Sequence, residues 1–286
     1  MKIGTSSYSF SQYIRAGKIT QIDTVRLAKE IGFDCIEFTD LTPPEGTTQQ
    51  EYAKQIKAEA DKCGIEISIY AVGADLAQRD EQGIKDETQR LFGCVDIARA
   101  LGAKLMRHDV MFAYNGYRSF DEIVPTAAKI ARDVTEYAEK NGIRTMSENH
   151  GMYYQDPDRI EKMIAAVNHP NYGLLMDIGN FMCADIHPAK AVSRLASLAF
   201  MVHAKDFVFT PFAPDMEKKG IETRGCNRLE GTSIGCGDVN AHQCFAILKK
   251  AGFDGYVDVE YEGSEDCTQG LKKSLKNIKA IFAELD

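Results

Sequence analysis

Five segments of this chain end in the same way. EIGFD, KCGIE, ALGAK, KNGIR and KAGFD place Gly32, Gly64, Gly102, Gly142 and Gly252 just past a helical pattern and just before a strand pattern. Glycine at that point takes the left-handed backbone conformation that stops a helix and turns the chain. Apolar spacing predicts helices over 20–31, 48–63, 82–100, 120–140, 156–167, 188–196, 239–251 and 267–284. Between them lie strand patterns: MKIGTSSYSF at the start, CIEFTD (35–40), EISIYAV (66–72), AKLMRHD (103–109), RTMSENH, YGLLMDIGN, LAFMVHAKD and GYVDVEYEG. A strand–helix–glycine unit repeated about eight times predicts an α/β fold, a (β/α)8 TIM barrel, and 286 residues suit one such domain. An open doubly wound sheet is the competitor, but it does not gather the ends of consecutive late strands around one point. No composition shift marks a second domain. Residues 207–237, rich in Pro, Gly and charge, interrupt the pattern between the seventh strand and its helix. By topology this long loop sits on the mouth side, which makes it a candidate lid.

Four polar residues end four of these strand patterns: Glu148, Asp177, His203 and Glu260. Strand C-termini in a barrel converge on one mouth, where chemistry is placed. Two glutamates, an aspartate and a histidine there suit one divalent cation with positions left open for substrate oxygens. Each residue also has a plainer reading: strand-end carboxylates in water, a turn cap for Asp177, a buried core histidine for His203. Their equivalent placement in consecutive strands favours the metal site.

Charge and cysteine usage narrow the alternatives. A formal net charge of -8 with no long basic run argues against nucleic acid and against an acidic membrane surface. No apolar run approaches the ~20 residues of a membrane span. Eight cysteines without a CxxC pair read as reduced, mostly packed thiols, although Cys226 and Cys236 share one long loop. With no secretory pattern in MKIGTSSYSFSQYIR, the expected location is cytoplasmic. A homo-oligomer is compatible with this reading, with 207–237 as a surface for a neighbour.

The ordered set ENHG, LMDIGN, VHAKD, GCGDVN and GYVDVEYEGSED resembles the sugar phosphate isomerase/epimerase family of the xylose isomerase-like barrel superfamily. The resemblance covers essentially the whole chain. It implies that Glu148, Asp177, His203 and Glu260 hold one divalent cation, most often Mn2+, with Mg2+, Co2+ or Zn2+ as alternatives. It also implies that Glu148 and Glu260 form the acid/base pair of an isomerase or epimerase in carbohydrate metabolism. The substrate is then a small sugar, keto-sugar or cyclitol. Chemistry agrees: chelation of a ketone and its neighbouring hydroxyl acidifies the adjacent C–H, and one carboxylate on each face removes and returns the proton through an enediolate. The same site supports a lyase or dehydratase reaction, since β-elimination starts from the same enolate. A non-catalytic sugar-binding barrel is the reading from another class.

Further candidates surround this centre. His108, His150, Asn180, Lys205, Glu37 and Arg228 are expected to meet the substrate, each with a structural alternative. Lys205 either neutralises an oxyanion or pairs with Asp206 or Glu262, and Arg224 is a second loop cation within reach of an acid group. Tyr8, Phe112, Tyr114 and Phe181 are either an apolar wall under the sugar or core. Gly235-x-Gly237 resembles a short phosphate nest. Asp238 beside it is expected to cap the next helix and to repel phosphate, so a non-phosphorylated substrate is favoured. Two departures from relatives stand out. Asn180 replaces the histidine usual in ketose 3-epimerases, and six histidines are too few for the three-zinc cluster of the endonuclease IV branch.

Overall fold

The computed structural model describes residues 1–215 and 217–285. Seven strands come first: β1 (Lys2–Ser6), β2 (Cys35–Phe38), β3 (Glu66–Val72), β4 (Leu105–His108), β5 (Arg144–Glu148), β6 (Tyr172–Asp177) and β7 (Ala199–Ala204). The insertion adds β8 (Asp206–Thr210), β9 (Ile221–Glu222) and β10 (Arg228–Thr232), and β11 (Tyr256–Val259) is the last strand. β1 to β7 and β11 close into one parallel barrel in which β1 pairs with both β2 and β11. Closure leaves no barrel edge unpaired. The (β/α)8 expectation therefore holds.

The α-helices among the described residues are α1 (Ser11–Arg15), α2 (Asp23–Ile31), α3 (Gln49–Cys63), α4 (Glu81–Leu101), α5 (Phe120–Lys140), α6 (Pro157–Val167), α7 (Pro188–Leu195), α8 (Ala241–Lys250) and α9 (Cys267–Leu285). They form because their apolar residues recur on one stripe. In α5, Ile123, Ala127, Ile130 and Val134 are buried at helical spacing, and each isoleucine or valine so buried contributes ~1.5–3 kcal/mol. All five junction glycines have positive φ, from 63° at Gly64 to 102° at Gly32. A side chain at Gly32 would therefore strain the backbone, although space is free around it.

The core has two parts. The larger one lies between strands and helices. The smaller fills the barrel, where Ile69, Leu105, Met146, Leu175 and Met201 meet. Alternation along β4 to β7 then fixes which later residues point inward. From Met146 the inward face reaches Glu148, from Leu175 it reaches Asp177, and from Met201 it reaches His203 and Lys205.

Three expectations need correction. The opening strand stops at Ser6, whose hydroxyl accepts from the Tyr8 amide at 3.2 Å and starts a 3-10 turn over Ser7–Phe10. Residues 207–237 are not a structureless loop. Apart from residue 216, which lies outside the described residues, they carry most of a three-stranded antiparallel sheet in the order β8-β10-β9. Finally, α8 is capped by Asn240, whose side chain accepts from the Gln243 amide at 3.2 Å, not by Asp238. Asp238 instead accepts from the Phe209 amide at 2.7 Å and ties the sheet down.

Candidate metal centre

Register at the mouth places the four strand-end residues side by side. Asp177 on β6 is level with His203 on β7, and His203 is level with Asp258 on β11, two residues before Glu260. Glu148, Asp177, His203 and Glu260 each turn one donor atom inward, and these atoms all lie within 4.8 Å of one another. His203 Nδ1 is 3.5 Å from Glu148 Oε1 and 3.8 Å from Glu260 Oε2. Ligand bonds of ~2.0–2.6 Å require donor spacings of this order.

Two of the donor atoms are left without a hydrogen bond. His203 Nδ1 and Asp177 Oδ2 are both buried, and Asp177 Oδ2 has only the Lys205 ammonium, 3.2 Å away, as an ion-pair partner. Buried polar atoms are almost always hydrogen-bonded, so the open imidazole nitrogen in particular indicates a missing partner. The other histidine nitrogen, Nε2, is committed to Glu37 Oε2 at 2.5 Å, and Glu37 Oε1 accepts from Ser6 Oγ at 2.8 Å. A carboxylate behind a histidine fixes the ring and leaves the opposite nitrogen as the ligand. Asn149 locks the neighbouring strand ends, donating to the Asp177 carbonyl at 2.8 Å and accepting from its amide at 2.9 Å. The four side chains thus fit a divalent cation.

The geometry behind His203 carries a prediction. Glu37→Gln keeps the shape but removes the charge that orients the imidazole, so affinity for a divalent cation should fall about 10–100-fold. Competition with a fluorescent chelator measures this, and unchanged affinity would detach Glu37 from the centre.

Cations balance the acids. Arg107 lies 2.6 Å from Glu148 Oε2 and 2.8 Å from Asp109 Oδ1. Lys205 lies 2.5 Å from Glu260 and 3.2 Å from Asp177. Burial disfavours the Glu148 charge, but the Arg107 guanidinium and then His203 outweigh it and hold the carboxyl well below the usual range. Burial pushes Asp177 up to about 6 against the pull of Lys205. Burial also opposes the charge on Lys205, yet Asp177 and Glu260 keep its ammonium protonated well above the ordinary lysine range. Just below the cluster, burial and the nearby Glu37 raise the Asp258 carboxyl to about 7, and it accepts from Ser68 Oγ at 2.6 Å.

The other expected contacts divide. His150 lies at the mouth, with Nδ1 2.8 Å from Asp109 Oδ1 and its ring edge-on to Phe112. Tyr8 and Phe112 line the same cavity of about 340 Å3. Asn180 is buried and bridges, donating to Glu148 Oε1 at 3.2 Å and accepting from Lys205 at 3.1 Å. Glu37 sits behind His203 and also lines this cavity.

His108 is a correction. It faces out of the barrel, fully buried and stacked 5.9 Å from Tyr172, because the alternation that turns Arg107 inward turns its neighbour outward. Arg228 is a second one, since it pairs with Glu222 at 2.5 Å across β10 and β9. Arg224 is likewise taken by Asp156, at 2.8 Å and 2.9 Å. Phe181 is core, and Tyr114 packs against Tyr153. Lys205 meets Glu262 at 3.7 Å but not Asp206. The Asp206 carboxylate instead accepts from the amides of Gly235, Gly237 and Val239 at 2.8–3.2 Å. The supposed phosphate nest is therefore filled by the chain's own acid. All eight cysteines are free thiols.

Arg107, Asp109 and Asn149 escaped the sequence reading. A signal for Arg107 existed: counting by two from the apolar Leu105 in AKLMRHD leads to Arg107 and Asp109 and skips His108.

A closed parallel barrel whose strand ends converge on three carboxylates and a histidine defines a class, the (β/α)8 proteins with a candidate divalent-cation centre at the mouth. Within that class the chain belongs to the xylose isomerase-like TIM barrel family, whose profile matches residues 25–281. Its relatives include the L-ribulose-5-phosphate 3-epimerase UlaE of Escherichia coli strain SE11, 22% identical over 282 residues, covering 92% of this chain and 90% of the relative. Among solved structures, an L-ribulose 3-epimerase superposes with a TM-score of 0.76 at 15% identity, covering 99% of this chain and 95% of the other. A xylose isomerase-like barrel protein from Mycobacterium smegmatis in complex with magnesium superposes at 0.74 and 18% identity, covering 100% and 98%. No helix among the described residues is long and apolar enough to cross a membrane.

Proposed function

We propose that this protein is a divalent-metal-dependent isomerase or epimerase of a keto-sugar or cyclitol. The observation that carries the reading is the pairing of Glu148 and Glu260 around one cluster, on strands separated by β6 and β7 in the barrel. Glu148, Asp177, His203 and Glu260 would hold the cation, with Mn2+ favoured by three hard oxygens and one imidazole. When bound, the cation supplies Lewis acidity to a carbonyl and its neighbouring hydroxyl.

The rest falls to the chain's own groups. Glu148 and Glu260 flank the carbon whose proton is exchanged, one removing it and the other returning it from the opposite face. Arg107 and Asn180 hold Glu148 in one orientation. Lys205 does the same for Glu260 and lowers the local negative charge. His150, braced by Asp109, presents its other ring nitrogen to a substrate hydroxyl. A small carbohydrate is the matching partner, and the epimerase relative supports that class.

One contact favours a second reading, β-elimination from the same site. The Lys205 ammonium beside Glu260 at 2.5 Å is a proton donor for a departing hydroxyl. Product mass separates the two: it is unchanged for epimerisation and lower by water for elimination.

The test is solvent exchange. The Mn2+-loaded protein, incubated in D2O with a panel of ketoses, 3-keto-glycosides and inososes, should place deuterium on the carbon beside the carbonyl of at least one of them, as read by NMR. No exchange across the panel with metal bound would overturn the reading.

A further inference from the structure

A second cavity adjoins the one above the metal cluster. It too measures about 340 Å3, and Tyr8 and Glu262 line both. Its floor carries Ser11 and Arg15 of α1, and its roof is the insertion sheet, through Ile221 and Leu229. These two form one rung of that sheet, Leu229 fully buried and Ile221 39% exposed. A bridge between Gly231 and Gly263 ties the roof to the segment after β11.

Proton exchange at the metal cluster needs none of this second space. The first cavity alone reaches the ~300 Å3 at which clefts begin to hold small molecules. The lining mixes the apolar side chains of Phe207, Ile221 and Leu229 with the hydroxyl and guanidinium groups of Ser11 and Arg15, the two kinds of contact that the C–H and O–H groups of a sugar ring take. Arg15 makes no ion pair, and the Tyr8 hydroxyl no hydrogen bond, among the described residues, so their donors remain for a ligand.

Building on the proposed function, we infer that the substrate has two units: a keto-sugar at the metal cluster and a second, glycosidically linked ring under the insertion sheet. The 207–237 segment then acts as the wall of a second subsite, and Tyr8 with Glu262 contacts the linkage between the rings. Arg15 and Ser11 set specificity for the outer ring.

The test compares binding of D-fructose with four keto-disaccharides, lactulose, turanose, leucrose and isomaltulose, to the Mn2+-loaded protein by calorimetry. At least one disaccharide should bind tenfold or more tighter than fructose. Ser11→Trp, which fills the outer floor, should bring that ratio close to one, and Arg15→Ala should lower it in a protein whose fold is undisturbed. Equal affinity for fructose and all four disaccharides, no binding of any, or a ratio that both variants leave intact would each overturn the inference. Because binding and solvent exchange are read separately, loss of the subsite and loss of the epimerase reading give different results.

Discussion

Glu260→Gln should lower turnover by about 10²–10⁴-fold, the range lost with a positioned acid or base. The amide keeps the shape and one oxygen for the cation, but it can neither take nor return a proton. Stability should change little, because Lys205 retains Asp177 at 3.2 Å and Glu262 at 3.7 Å. Glu148→Gln should cost activity on the same scale. Rates on the substrate identified by solvent exchange, taken with metal content and thermal unfolding of each variant, provide the check. If both variants stay loaded, folded and active, these carboxylates are not the proton-transfer pair.

Arg107→Met should be the most destabilising single change at the mouth, about 3–5 kcal/mol. Arg107 is 7% exposed and its guanidinium spans Glu148, Asp109 and the Val72 carbonyl. Removing it leaves Glu148 and Asp109 buried with only the imidazoles of His203 and His150 beside them in place of a guanidinium. Against a usual stability of 5–15 kcal/mol, such a loss is a large fraction. Urea unfolding in the presence of EDTA isolates this term from metal binding. Arg224→Ala is the control: its pair with Asp156 is partly solvated, and less than about 1 kcal/mol should be lost. A cost for Arg107→Met no larger than the control's would mean the mouth is wet and the pair screened.

How much of this was legible in the chain varies by element. The barrel was, because each junction glycine has a local cause and a local effect: a helix stops where a left-handed residue is easiest. The four cation-ligating candidates were legible too, since each ends an apolar run in a strand whose neighbours do the same. The insertion sheet was not. Its strands are two to five residues long, and β8 and β10 pair across 17 residues of intervening polar chain. No periodicity that short announces itself against the surrounding loop.

His108 and Arg107 show the boundary most clearly. Both are polar, both end β4, and they are adjacent. Type alone favoured the histidine as a functional group, but facing is decided by alternation from the lumen cluster around Leu105, and that chose the arginine. Asp206 gives the same lesson. The glycines at 235 and 237 do form an anion-binding nest, but only the fold brings the chain's own carboxylate into it.

The sequence by itself determined the eightfold order, the helix stops and the four strand-end donors, because these depend on residue type and local spacing. The tertiary structure alone decided which partner each charge meets: Glu37 behind His203, Arg107 against Glu148, Lys205 between Asp177 and Glu260, Arg228 spent on Glu222. Except for Arg228 and Glu222, six positions apart across β9 and β10, such pairings join residues tens to more than a hundred positions apart, and charge attracts across space without regard to distance along the chain.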